Sequence, residues 1–382
     1  MIPVFKPLIS KEERKAADRS LEIGWLGMGK FVKEFEEQIS NIIGNKKKYV
    51  VAVNTGHSAL HLIMLLLELK KGDEVITPSF NNIADLQAII AVGAKPVFCD
   101  IDEQTLCIDL KKAEKLINKK TRAIIAMDYG SCLADHDRVK KLAKKYNIRV
   151  IHDAAHSLGS KYKGKMIGSF SDVAMFSFDP VKTFTSIDGG AIVVNTKKEM
   201  LKLHEMRLMG MSQKANIMYK NQRAWFYDVK NVGYRYHLAN LHAAIGVEQL
   251  KKIKKIKKSR IASFMRYNHR LQNIDNIITP SYHVDTIPFH YCLRVKNNKR
   301  FEMINYLRSK GVDTGIHWQP NHTFTLFKKN KSGDLSVTNK IKNEILTLPL
   351  HSMMSNKDIL YITCLIPKDL LFEYFWDCEC VL

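Results

Sequence analysis

The stretch FSFDPVKTFTSIDGG, residues 176–190, sets one lysine, Lys182, between a serine and a pair of glycines, directly after an apolar run that reads as a strand. The chain carries sixty Lys and Arg side chains, so one lysine stands out only through its surroundings. Upstream lie RVIHDA (149–154) and DVAMFSF (172–178), and downstream GAIVVN (190–195), all β-rich. Toward the N-terminus, YVVAVN precedes a helix starting near Ser58, DEVITPSF a helix over about 84–92, KPVFCDI the segment DLKKAEKLI, and TRAIIAMDY the segment HDRVKKLAKKYN. Strand alternating with helix predicts an α/β fold, a mainly parallel sheet covered on both faces. Such sheets bind ligands beyond the carboxyl ends of their strands, so the chemistry is expected on the loops that follow them.

Three of those loops are chemically rich. After YVVAVN comes TGHS, in which Gly56, His57 and Ser58 open a helix whose free backbone N–H groups and dipole suit a phosphate. RVIH leads into Asp153 and then AAHS, which contains His156; after DVAMF comes Ser177, and Lys182 follows. Singly, Lys182 reads as a surface lysine, Asp153 as a strand-end cap and TGHS as an ordinary helix start. Their order and their placement after successive strands point further. An amine nucleophile, a buried carboxylate and a phosphate cradle on adjacent loops are what pyridoxal phosphate requires: a lysine for its aldehyde and a carboxylate to keep its ring nitrogen protonated.

A chain of 382 residues exceeds one compact core, and two lobes are expected: a large α/β domain over 1–248 and a small α+β domain over 249–382. The second contains FHYCLRV, RFEMINYLRSKG and the loop IHWQPNHTFTLF. Within the first, residues 211–232 (MSQKANIMYKNQRAWFYDVKNV) have weak periodicity and read as a loop reaching over the surface or to a partner. The net charge of +22 would attract polyanions. Nucleic acid is not favoured, because the densest run, QLKKIKKIKKSR, spaces Leu250, Ile253 and Ile256 as one apolar helix stripe with lysines on its wet sides. The seven cysteines are scattered without paired spacing, so neither a metal site nor a disulfide framework is expected. No apolar run reaches the roughly eighteen residues of a membrane span, and MIPVFKPLISKEERK lacks the features of a secretion signal. The ending CECVL has Glu379 where a prenylation signal needs cysteine. A cytoplasmic location is the expectation.

With these segments quoted, the chain resembles the DegT/DnrJ/EryC1/StrS family of sugar aminotransferases, fold-type I enzymes dependent on pyridoxal phosphate. The likeness begins at GWLGMGKFVKEFEEQI and continues through NTGHSALHL, GDEVITPSF, GAKPVFCDID, HDAAHSLGS, the lysine segment and GYRYHLANLHAAIGVEQL. It implies a seven-stranded, mainly parallel sheet between helices, plus a small C-terminal α+β domain. It further implies that Lys182 forms the Schiff base and shuttles the proton, that Asp153 pairs with the ring nitrogen, and that His156 lies near the phenolic oxygen. Ser177 and the amides around Gly56, His57 and Ser58 would hold the phosphate. An amino acid, glutamate by expectation, would leave the cofactor as its pyridoxamine form, and a nucleotide-linked keto-deoxysugar would accept the amine.

The departures are specific. In PSFNNIAD, Asn81 and Asn82 stand where the family commonly has threonine followed by a ring-stacking aromatic, which leaves the ring face near Asn82 to another side chain such as His57. In GYRYHLAN, Arg235 stands where many members have an asparagine that reaches the neighbouring subunit's phosphate, implying a homodimer with shared sites, and His237 stands where they have arginine. Asp128 in AMDYG replaces a usual histidine. IHWQPNH resembles the loop that closes over substrate, so His317, Trp318 and His322 are candidates for sugar or base contacts. The rival readings are a sugar dehydratase of the same superfamily, which uses histidine in place of the lysine, and a non-catalytic pyridoxal-binding regulator. Lys182 opposes the first, and the lack of an added DNA-binding segment disfavours the second.

Overall fold

A computed structural model describes residues 1–212, 215–223 and 225–366; Cys378, Cys380 and the CECVL ending lie outside the described residues. The principal sheet is built from β1 (Tyr49–Val53), β2 (Glu74–Pro78), β3 (Lys95–Cys99), β4 (Thr121–Met127), β5 (Arg149–Asp153), β8 (Val173–Ser177) and β9 (Gly190–Val194). Between β5 and β8, a hairpin of β6 (Lys161–Tyr162) and β7 (Lys165–Met166) stands apart as a two-stranded sheet. The order is β1-β9-β8-β5-β4-β2-β3, with β9 antiparallel to both neighbours and the remaining pairs parallel. The expected mainly parallel seven-stranded sheet is therefore present. Its strands are almost continuously apolar because helices cover both faces.

The antiparallel β9 places its first residue at the functional edge. Gly190 pairs with Val53 at the end of β1 and with Ser177 at the end of β8. A Cβ there would come 2.3 Å from the Thr55 carbonyl oxygen, so the second glycine of the pair permits the two strand ends to close on each other. Helices are set locally in the ordinary way. Asp109 caps the helix Leu110–Leu116, Asp135 caps His136–Tyr146, and Gly44 ends Lys30–Ile43 in the left-handed region at φ 68°.

A second sheet of β10 (Ile277–Ile278), β11 (Tyr291–Val295) and β12 (Ile345–Leu348) is antiparallel and has its own core around Phe264, Tyr267, Leu293 and Leu346. The lysine-rich run, expected as one helix stripe, is broken at Lys252 into two helices, Asn240–Lys251 and Ile253–Leu271, with Leu250 and Ile256 buried and Ile253 half-buried. The N-terminal residues cross to this unit: Ile2 bridges Val312, and the Leu350 amide donates to the Val4 carbonyl at 3.1 Å. Such a contact spans the whole chain, and no local pattern announces it.

One buried ion pair ties the first helices to the sheet. Arg207, fully buried, donates to Glu36 Oε1 at 2.7 Å, to the Ala52 carbonyl at 2.6 Å and to the Tyr219 hydroxyl at 3.0 Å. Glu36 Oε1 also accepts the Ala52 amide at 2.8 Å. Arg207→Met would leave Glu36 buried without its cation, and is expected to lower the unfolding free energy by about 3–5 kcal/mol in a denaturant titration.

Candidate active site

The carboxyl ends of β1, β5 and β8 lie on one edge of the sheet, and the three loops selected from the sequence converge there. At the end of β1, Thr55 caps the helix Gly56–Leu66; its hydroxyl accepts the Ser58 amide at 2.9 Å and bonds the Ser58 hydroxyl at 2.8 Å. The amides of Gly56 and His57 meet no acceptor among the described residues. Across from them stands Ser177, so close that a Cβ on Gly56 would come 3.0 Å from the Ser177 side chain. Two free amides at a helix start beside a hydroxyl form an anion cradle, and a side chain on Gly56 would crowd its serine wall. The His57 ring is exposed and stacks on no other ring among the described residues.

Asp153 ends β5, buried, and accepts the Ala155 amide at 3.0 Å. Burial pushes its carboxyl above the usual range, against the pull of that amide and of the Lys182 charge. A desolvated carboxylate lacking an intimate cation of its own is suited to receive one.

Lys182 lies beyond β8 in a loop held by its own amide, which donates to the Asp179 carbonyl at 3.1 Å. The residue is half-buried, and its ammonium sits 4.6 Å from the centroid of the Phe289 ring. Burial lowers its pKa, with the charges of Asp153 and Asp179 opposing. A lysine depressed in this way is a nucleophile in waiting, which is how Lys182 differs from the solvated lysines elsewhere.

His156 stacks on Phe289 with centroids 4.1 Å apart and planes 20° apart, while its Nδ1 accepts the Gly130 amide at 3.3 Å. Trp318 lies parallel to His156 at 6.5 Å. His317 bonds the Thr347 hydroxyl through Nδ1 at 2.8 Å, and its backbone carbonyl accepts the Tyr129 hydroxyl. His322 Nδ1 bonds the Ser79 hydroxyl at 2.7 Å. His317 and Trp318 thus come beside the Lys182 group, and His322 is anchored to the loop after β2. On that loop Asn82 caps the helix Ile83–Ala91, its side-chain oxygen accepting the Ala84 amide at 2.9 Å. Arg235 is exposed and forms no ion pair or hydrogen bond among the described residues.

Sequence reasoning missed Phe289, His290 and Tyr129 as site residues. Tyr129 and His290 meet edge to face at 4.9 Å, and His290 lies 5.5 Å from His317. FHYCLRV was legible as a strand, but nothing in it signals that its first ring faces a lysine over a hundred residues earlier. Phe289 is positioned by Arg260, whose buried guanidinium donates to the carbonyls of Pro288 at 2.7 Å, Leu350 at 3.1 Å and Phe289. Asp128 is also explained: its oxygens bond His136 at 2.8 Å, His152 at 2.7 Å and the Ser157 hydroxyl at 2.6 Å. The ligand atoms of Asp128, His136 and His152 lie within 4.8 Å of one another, but each imidazole already bonds a different carboxylate oxygen. That cluster is a closed hydrogen-bond network behind Asp153.

The histidines carry a pH prediction. His317 is pulled down to about 4 by burial and then by the Lys182 charge, and His351, buried with both ring nitrogens unpartnered, to about 4 by burial and then by Arg260. Unfolded histidine titrates near 6.5, so between about pH 6.5 and 4 the unfolded chain binds more protons. Stability is therefore intact above about 6.5 and falls with pH through this window, by up to about 1.4 kcal/mol per pH unit for each histidine. Thermal melts from pH 7.5 to 4.5 check it; a flat profile contradicts it.

Pyridoxal phosphate fits this set of residues: a cradle that a side chain on Gly56 would fill, a desolvated carboxylate in Asp153 and a depressed lysine in Lys182. Fold and site together define a pyridoxal-phosphate-dependent transaminase of fold type I. The chain belongs to the DegT/DnrJ/EryC1/StrS aminotransferase family, whose model matches residues 7–366. It is 34% identical over 368 residues, 94% of each chain, to the spore coat polysaccharide biosynthesis protein SpsC of Bacillus subtilis. Among solved structures it resembles Helicobacter pylori PseC, an aminotransferase involved in the biosynthesis of pseudoaminic acid, with TM-score 0.88, 25% identity and 95% and 97% of the two chains covered. It also resembles Spr1654 of Streptococcus pneumoniae in its PMP form, with TM-score 0.86, 27% identity and 96% and 98% covered. No helix among the described residues is long and apolar enough to cross a membrane.

Proposed function

We propose that this sugar aminotransferase moves an amino group from L-glutamate to a keto-deoxysugar carried on a nucleotide, in the cytoplasm, for a surface polysaccharide or glycan. The observation that carries the reading is Lys182, an amine with lowered pKa set against Phe289 and beside His156, His317 and Trp318. Pyridoxal phosphate supplies an aldehyde to capture amines and a ring that takes up electrons when the adjacent C–H bond is broken. In this reading Lys182 would hold the aldehyde of the cofactor, and its amine would carry a proton to and from the substrate carbon. Asp153 would keep the ring nitrogen protonated and His156 would bond the phenolic oxygen. Gly56, His57, Ser58 and Ser177 would hold the phosphate, Gly56 and His57 through their free amides.

Asn82 would border the ring, and His317, Trp318 and His322 would face the sugar. The net charge of +22 favours a diphosphate-linked substrate. A homodimer with shared sites is part of the reading. It is supported by the exposed, unpaired Arg235 and by the neighbouring apolar surface of Trp225, Phe226 and Val232, exposed at 84%, 96% and 79%.

The test is to incubate the purified protein with ¹⁵N-glutamate and UDP-, dTDP- and GDP-linked keto-deoxysugars. The reading predicts ¹⁵N in the sugar with one 2-oxoglutarate formed per amine transferred, and no transfer to the free keto sugar. A sugar that loses a hydroxyl without gaining nitrogen would support the dehydratase alternative.

A further inference from the structure

Phe5 lies ahead of the first helix, Lys11–Glu22, far in sequence from the other residues of the site, and its ring nonetheless reaches the site wall. It stacks on Phe289 with centroids 5.3 Å apart and planes 13° apart, and meets His317 edge to face at 5.3 Å and 77°. His317 meets Trp318 edge to face at 4.7 Å, Trp318 lies parallel to His156 at 6.5 Å, and His156 stacks on Phe289 at 4.1 Å. The five rings form a closed circuit, and Phe5 closes it. Lys182 is held against this circuit, its ammonium 4.6 Å from the Phe289 centroid.

The segment that carries Phe5 is fixed on both sides. Before it, the Ile2 amide donates to the Gly311 carbonyl at 2.7 Å, and the Val4 carbonyl accepts the Leu350 amide at 3.1 Å. After it, the Leu8 carbonyl accepts the Gln249 side chain at 2.7 Å. Arg260 donates to the Leu350 carbonyl at 3.1 Å as well as to that of Phe289, so Val4 and Phe289 are tied through one guanidinium. The partly buried Phe5 ring therefore stands at a set place relative to the Phe289 main chain.

We propose that Phe5 is a positioning residue of the active site: its ring fixes the stance of Phe289 and His317, and through Phe289 the place of the Lys182 amine. Arg260 holds the Phe289 main chain but leaves its ring two side-chain torsions, and the stack on Phe5 limits them. A stacked aromatic pair is strong enough to shift a ring population by about two- to tenfold. The same factor is expected wherever the placement of Lys182 is read out. The inference rests on Lys182 being the amine that captures the cofactor, as read above.

The rate at which the apoprotein captures pyridoxal phosphate, followed by absorbance at one pH, reads the Lys182 amine without turnover. Phe5→Ala is expected to slow capture by about two- to tenfold, and Phe5→Tyr, which keeps the ring, to restore the native rate. Phe5→Leu, which keeps bulk but not the flat face, replaces the alanine variant if a thermal melt shows that alanine has not folded. The deciding comparison is made in a Phe289→Leu background, where Phe5→Ala should slow capture no further, because the ring it acts through is gone. A structural role alone would lower the melting temperature and give the same factor in both backgrounds. No slowing in the native background, the same factor in both, or a tyrosine variant as slow as alanine overturns the proposal. Lys182→Ala separates the two levels: if it abolishes the absorbance change while the Phe5 variants behave as native, only the role of Phe5 fails. If the change persists in Lys182→Ala, the reading of Lys182 fails, and this inference with it.

Discussion

Lys182→Ala is expected to lower amino transfer by about 10⁴-fold or more while leaving the fold intact. A positioned acid–base group alone contributes about 10²–10⁴-fold, and Lys182 serves as nucleophile as well. Its ammonium sits over the Phe289 ring, where burial makes the charged form unfavourable. Alanine therefore removes a desolvated charge and leaves no buried partner stranded, since Asp153 is bonded separately by the Ala155 amide. The melting temperature should hold, and the visible absorbance of the bound cofactor should shift to that of the free aldehyde. Arginine at this position would keep the charge but not the nucleophile, and should be as inactive as alanine.

Asp153→Asn carries the second large effect, an expected fall in turnover of about 10²–10³-fold, the usual loss when one preorganised electrostatic partner of developing charge is removed. The asparagine can still accept the Ala155 amide, so the loop geometry is preserved and the change isolates charge. Because the native carboxyl is pushed up by burial and by the charge of Asp128, the neutral amide should fold at least as stably. A variant that is more stable, weaker toward cofactor and slow is the combined result that a positioning carboxylate predicts. Loss of stability in step with activity would instead mark Asp153 as structural.

The fold was legible because its signal is local. Strands such as Tyr49–Val53 and Val173–Ser177 are short apolar runs, and the loops that follow them carry the reactive groups. Lys182, Asp153, Ser177 and Gly56 were picked out because each lies at or just past a strand end on the same sheet edge. The small unit yielded less. Phe289 and His290 read only as the start of a strand, and their meeting with His156 depends on how two sheets pack, which no periodicity encodes. Asn81 and Asn82 were visible as departures from a resembled pattern, but the bond of Asn81 to the buried Asp85 and the hold of Asn321 on the Asn81 carbonyl arise only when the second unit packs against the loop after β2. Asp128 looked like a simple replacement until its two imidazole partners, one a strand away and one on a neighbouring helix, came into place.

The central claim is that Lys182, out of a chain rich in lysine, bonds the cofactor. Borohydride reduction of the holoprotein, followed by peptide mass spectrometry, tests it directly. The account predicts a single pyridoxyl group on the peptide containing Lys182, and its absence when the protein is treated first with glutamate. A label on another lysine, or an unlabelled Lys182 in a protein that retains bound cofactor, would contradict it.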